Sequence, residues 1–307
     1  TRFNLFFPEK RDFFLENSGI FAFGNSGNPM EPPAYQMFFS RQIGIAESGS
    51  VPLVGGARLT GRVGSQTIGL MSVMTDAVPE SSEFQSVDRE LFSVARIKRD
   101  VGESNYIGAM VVDRRGHGPA NTVMGVDGQF LIGQAWVWDA SISRSFTEGP
   151  GGNDTAYHLG YRYSGENWGS ILNHYAVGEE SEASAGFITR TDYRSTEMYS
   201  GHTWRPDALG LRELSLYVGG KYASTITDNR LQDWSTGFFM SPSWRSGDNL
   251  SVLGNLGETV VDEAFKLAPD VEVPRGSYDN NHVGWFGGSS RARPLSAEVN
   301  GMVSQFY

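Results

Sequence analysis

The feature that most restricts this chain is a period of two. Tyr157, Leu159, Tyr161 and Tyr163 alternate with His158, Gly160 and Arg162; Leu214, Leu216, Val218 and Tyr222 alternate with Glu213, Ser215, Tyr217 and Lys221. Trp136, Trp138, Ala140 and Ile142 repeat the pattern against Asp139, Ser141 and Ser143. Successive side chains of a strand point to opposite faces, so the alternation makes strands with one apolar, often aromatic-ended face and one polar face. It runs from about residue 37 to the end of the chain.

The connections carry a second rhythm. Gly64-Ser65, Gly102-Glu103-Ser104, Asp127-Gly128 and Ser164-Gly165 read as tight turns, each followed by a longer connection at residues 76–89, 114–120, 147–154 and 177–184. The rule fades after Arg205. Alternating short and long connections are the habit of transmembrane β-barrels, with tight periplasmic turns and longer outer loops. The expected fold is all-β, an antiparallel transmembrane barrel of roughly 14–18 strands, each of about ten residues, the length that crosses a bilayer at a tilt. A soluble β-sandwich shows the same alternation with its apolar face turned inward, and the connection rhythm is what separates the two. No period of forty to fifty residues recurs to suggest a propeller.

Composition narrows the function. With 38 glycines and only 39% apolar residues among 307, the chain suits a β-protein without an ordinary core. Zero cysteines exclude a disulfide scaffold, a thiolate metal site and a cysteine nucleophile. A net charge of −10 argues against a nucleic-acid partner. No apolar run is long enough for a membrane-spanning helix, and no signal peptide is seen. The opening Thr1-Arg2-Phe3 reads as the start of a fragment.

Residues 1–35 form a distinct Phe-rich segment ahead of a barrel expected over 36–307. "FNLFFPEKRDFFLEN" sets Glu9, Lys10, Arg11 and Asp12 between two Phe-Phe pairs. Pro8 suits a first helical position and Asn17-Ser18-Gly19 a stop, so a helix of at most about three turns is expected, docked by Phe6, Phe7, Phe13 and Phe14. If residues 37–45 and 51–63 are the first ascending and descending strands, the segment begins at the tight-turn mouth and caps it or enters the lumen. Glu9, Asp12 and Glu16 share a flank that Arg58, Arg62 and Arg96 could meet from the wall, with Lys98 beside them. These seven residues, with Lys10 and Arg11, are the candidate plug or ligand-binding network.

"TRFNLFFPEKRDFFLENSGIFAFG", "MFFSRQIGI" and "VPLVGGARLTGRVG" resemble the outer-membrane barrel family filed as DUF5916, and "TDYRSTEMYSGHTWRP", "LQDWSTGFFMSPSW" and "RARPLSAEVNGMVSQFY" are similar as well. The resemblance implies a barrel in a bacterial outer membrane, contacts with its lipid and lipopolysaccharide, and a periplasmic carbohydrate-binding domain of the family-nine type that is missing here. It also implies further strands beyond Tyr307, so that Phe306-Tyr307 is not a barrel-insertion signal. It carries no activity.

Other motifs give little chemistry. His117, His158, His174, His202 and His282 have no short metal-ligand spacing, so neither a metal nor a cofactor is expected, and each reads as a wall or loop residue. No G-x-S-x-G elbow marks a hydrolase. The acidic stretches "GEESEAS" (178–184) and "PESSEFQSVDRE" (79–90) read as solvated outer loops that stay extended, ahead of a specific Ca²⁺ site. The expected function is a passage or an anchoring platform, with a saccharide-related ligand implied by the resemblance. An outer-membrane hydrolase and a soluble carbohydrate-binding β-protein are the competing classes.

Overall fold

A computed structural model describes residues 7–24, 34–46, 49–80, 86–116, 118–268 and 270–305. Its dominant feature is one antiparallel sheet of fifteen strands. In chain order these are β1 (Leu53–Val63), β2 (Gln66–Thr75), β3 (Leu91–Val101), β4 (Asn105–Arg115), β5 (Asn121–Ile132), β6 (Trp136–Thr147), β7 (Thr155–Ser164) and β8 (Trp168–Val177). They continue as β9 (Tyr193–Trp204), β10 (Leu211–Ser224), β11 (Leu231–Trp244), β12 (Asn249–Val261), β13 (Gly276–Asp279), β14 (His282–Gly288) and β15 (Glu298–Ser304). From β1 to β12, neighbours in sequence are neighbours in the sheet.

β13 and β14 both pair with β12, at Val261↔Gly276 to Glu258↔Asp279 and at Asn255↔His282 to Asn249↔Gly288. They are one row of the wall, interrupted where the Gly257 N–H donates to the Asn281 side chain at 3.1 Å instead of to a strand carbonyl. β1 and β15 are the two ends of the sheet, and among the described residues they do not pair with each other.

Short and long connections alternate as expected up to Arg205, and the contrast fades beyond it, where 205–210 and 225–230 are equally long. One end of the sheet carries residues 64–65, 102–104, 133–135, 165–167, 205–210, 245–248 and 289–297, and the other carries 76–90, 116–120, 148–154, 178–192, 225–230 and 262–275. One expected turn is wrong. Asp127 and Gly128 lie inside β5, paired with Ser141 and Ala140, and the chain turns at 133–135 instead. Asp-Gly is a turn signal in water, but here Asp127 is held within the sheet by Arg96.

Register sorts the side chains. One outward row runs Ala109, Val126, Ile142, Tyr157 across β4–β7, and the next runs Ile107, Gly128, Ala140, Leu159. The outward face stays uncovered: Leu59 is 65% exposed, Val126 55% and Val218 53%. On the inward face, Met71, Val73, Phe92, Val94, Met110, Val112 and Val123 are buried and form a core with Phe14, Phe21, Met37, Ile43 and Ala185 from outside the sheet. The inward face was expected to be polar throughout. On β2–β5 it is apolar, because a second layer of the same chain lies on it.

That layer corrects the reading of residues 37–45. They are not a wall strand: Tyr35–Gln36 pairs with Phe187–Ile188, and Ser40–Gln42 is a 3₁₀ turn. The expected N-terminal helix is a single α turn, α1 (Asp12–Leu15), followed by a 3₁₀ turn at Ser18–Phe21. Two local bonds limit it. The Glu9 carboxylate accepts from the Lys10 and Arg11 N–H groups at 2.8 and 2.9 Å, which keeps the entry extended, and Asn17 takes a left-handed φ of 52° that ends the turn.

Candidate functional site

The site is the contact between this inner layer and the wall, and it begins with glycines. The atoms nearest to where a Cβ on Gly69 would stand belong to Ile20 and Phe21, at 2.7 and 3.0 Å, and a Cβ on Gly125 would meet the Phe23 ring at 2.5 Å. Both positions point inward, so the missing side chains are sockets that receive the layer's aromatic anchors.

Beside the sockets lies a buried ion pair. Arg96 on β3 donates to both oxygens of Asp127 on β5, at 2.6 and 2.7 Å, with both side chains fully buried. Gly108 on the intervening β4 makes room for it, since a Cβ there would stand 2.7 Å from each partner. Although the buried Arg96 Nε finds no hydrogen-bond partner among the described residues, a bidentate guanidinium–carboxylate pair lets each charge neutralise the other without water. Its second acceptor oxygen also takes the Gly24 N–H of the layer at 2.9 Å and the Tyr106 hydroxyl at 3.3 Å. The pair is therefore a latch as well as a wall element.

Further along, Tyr35 accepts a hydrogen bond from Ser143 at 2.9 Å. Burial, partly offset by that bond, pushes the Tyr35 phenol up to about 12, so it stays neutral. Arg58 on β1 is the third grip. It donates to the Phe13 carbonyl, to the Glu16 carbonyl at 2.6 Å, and to the Glu16 carboxylate.

The expected charge network is thus only partly assembled. Glu16 meets Arg58, but Glu9 turns back on its own segment. It pairs with Arg11 at 2.7 Å and with the Ser40 hydroxyl, while Arg11 donates to the Ser40 and Ile43 carbonyls. Burial acts to raise the Glu9 carboxyl, yet the hydrogen bonds from Arg11, Ser40 and Lys10 hold it down to about 2. Lys10 and Asp12 are exposed. Arg62 pairs with Asp100 at 2.6 Å near the 64–65 turn, and Lys98 sits 3.9 Å from the Tyr106 ring centre. Neither Arg62 nor Arg96 reaches Glu9, Asp12 or Glu16, because their carboxylate partners stand closer on the adjoining strands.

The knot is also at the other end of the sheet from the expected mouth. Arg11 lies beside Gly44, which packs on Val51 and Leu53, and Leu53 pairs with Thr75 next to the 76–90 connection. Of the four phenylalanines expected to dock it, Phe14 is buried, Phe13 touches Gly56 and Phe7 is exposed; Phe6 lies outside the described residues.

One contributor was missed altogether. The 178–192 connection folds inward rather than extending into solvent. Asn121 bonds the Ser184 N–H at 3.0 Å, Glu182 bonds Thr147 and Ser184, and Phe187 is buried against Phe39. The signal was present in Ala183, Ala185, Phe187 and Ile188, apolar residues unsuited to a solvated loop.

Histidines give no relay. His158 stands between Asp139 (3.1 Å) and Asn173 (3.4 Å), with no hydroxyl on either nitrogen. His174 faces outward and meets Thr196 and Tyr157, without a carboxylate to orient it. His202 packs edge-on to Trp168 and against Trp204, His282 pairs with Asn255, and His117 lies outside the described residues. Among the described residues no three carboxylate or imidazole groups converge to hold a metal ion. Residues 81–85 of the first acidic stretch and Phe306-Tyr307 also lie outside the described set.

No family model, curated protein or solved structure matches the chain. The contacts above are therefore the whole basis for a functional reading, apart from the sequence resemblance.

Proposed function

We propose that the chain is the greater part of an outer-membrane β-barrel wall whose lumen holds an internal plug, and that it serves as a gated passage or as an anchoring platform. The observation that carries this reading is the uncovered apolar outward face. A soluble sheet of this size would bury such a face against a second layer, and the second layer lies on the opposite side. Rings gather at the ends of the apolar band. Trp136, Trp138, Tyr161 and Tyr163 form one cluster, with centroids 4.5–6.4 Å apart, near the tight turns, and Tyr222 pairs with Trp234 towards the other end. Aromatic girdles at both interfaces are expected of a barrel. In this reading both free edges, β1 and β15, are paired in the membrane, since an unpaired edge in hydrocarbon is prohibitive.

The saccharide-related ligand and the periplasmic partner domain rest on the resemblance to DUF5916. Among the described residues no oriented nucleophile supports the hydrolase alternative.

Spin labels at Leu159 and Leu216 should collide with lipid-soluble oxygen, and finding them shielded in a dry core would overturn the membrane reading. Gating is tested in planar bilayers. Gly69→Leu should push Ile20 and Phe21 off the wall and raise single-channel conductance. A disulfide between cysteines at Asn17 and Thr60, whose side chains are 3.4 Å apart, should return it to the wild-type level. Equal conductance in all three proteins would leave an anchoring platform and remove the gate.

A further inference from the structure

We infer that the outward face carries a seat for one anionic phospholipid, in a groove over β4–β6 with Arg99 at its end. This rests on the membrane reading.

The groove arises from small side chains. Ala109, Gly128 and Ala140 stand on adjoining strands of the outward face and sink its floor, while Ile97, Val126 and Phe130 rise around them. The depression has a volume of about 600 Å³ and an almost wholly apolar lining. Its shape does not depend on a mobile side chain at the centre: Gly128 has none, and a Cβ there would already meet the Tyr106 carbonyl at 3.1 Å and the Phe130 ring at 3.2 Å. An elongated apolar occupant such as an acyl chain suits it better than a polar ligand.

Arg99 supplies the other half. It lies on β3 opposite Ile107 and Gln66, lines the groove, and is exposed on the same face. No ion pair joins it to any described residue; the neighbouring Asp100 is taken by Arg62. An uncompensated guanidinium on a lipid-facing wall is costly within the hydrocarbon, and it is stable where it can reach a phosphate at the headgroup level. Arg99 is three residues from the 102–104 turn, at the end of the wall where that level would fall. Guanidinium pairs with phosphate through two parallel hydrogen bonds. A zwitterionic headgroup brings its own cation to compete for the phosphate, so a net-negative headgroup is preferred.

The test uses the full chain, delipidated in neutral detergent and offered equal amounts of phosphatidylglycerol and phosphatidylcholine, with retained lipid read by native mass spectrometry. Wild type should hold one phosphatidylglycerol in preference. Arg99→Gln should weaken that preference about fivefold, Ala140→Trp should abolish retention by filling the groove, and Arg99→Lys should keep most of it. Flotation with vesicles is measured in parallel. A wild type that fails to float would defeat the membrane reading itself. A wild type that floats yet holds both lipids equally, or an Arg99→Gln variant that retains phosphatidylglycerol like wild type, would overturn the lipid seat and leave the membrane reading standing.

Discussion

The half of the sheet beneath the inner layer and the half beyond it differ on their inward faces. On β2–β5 the inward positions include Met71, Val73, Val94, Met110 and Val123, all buried, so these strands are largely apolar on both sides. On β9–β12 the inward positions include Glu197, Tyr217, Lys221, Ser241 and Asn255, with Phe239 and Leu253 as apolar exceptions. The strands are similar in length and pairing. What differs is the neighbour: a sheet face left bare keeps its polar groups, and a face covered by a docked segment of the same chain is built like a protein core. Polar groups persist under the layer only where they are paired, as Arg96 with Asp127, or where they grip it, as Ser143 grips Tyr35.

The sharpest way to break this comparison is to remove one charge from each half. Arg96→Met strands Asp127 in a dry site and should cost about 3–5 kcal/mol, read as a lowered denaturation midpoint in detergent. Lys221→Met, whose ammonium lies 3.7 Å from a partly exposed Asp233, should cost about 1 kcal/mol or less. Equal losses would mean that the covered half is no drier than the bare one. Truncating rings should give a smaller contrast. Phe21→Ala should cost about 3 kcal/mol and speed proteolysis of the inner layer, whereas Phe239→Ala, half-buried against Phe286, should leave proteolysis of that layer unchanged.

Smaller still is the grip at Arg58. Glu16 is largely exposed, so Glu16→Gln should cost about 1 kcal/mol or less, while Arg58→Gln also loses two carbonyl bonds and should cost more. A larger loss from the Glu16 change would show that the ion pair, and not the carbonyl contacts, holds α1. The smallest effect concerns acid. Glu9 has its carboxyl held at about 2 against an ordinary 4.5, so the stabilisation it brings is complete above pH 4.5 and is lost as the pH falls towards 2. Cleavage after Lys10 by an acid-stable protease should accelerate over that window in wild type and show no such rise in Glu9→Gln.

The sequence alone determined the strands, their two faces over β6–β12 and the short-long connection rhythm, because these depend on neighbours one or two residues apart. Arg58 and Glu16 were legible as partners for the same reason: an acid on a short helix and a basic residue on the inward phase of a strand. The inner layer was not legible. Residues 37–45 carry strand-like apolar residues, yet their burial comes from β2–β5 and from Phe187 far along the chain, and no local pattern distinguishes a wall strand from a segment packed upon a wall. Asp127-Gly128 has the composition of a turn and becomes mid-strand because Arg96, thirty-one residues away, neutralises it. Glu9 had the same choice of partners as Glu16, but Arg11 lies within two residues of it and the wall arginines already have theirs. Only the tertiary structure decides such cases, since the energy of a buried charge or ring depends on what fills the space beside it.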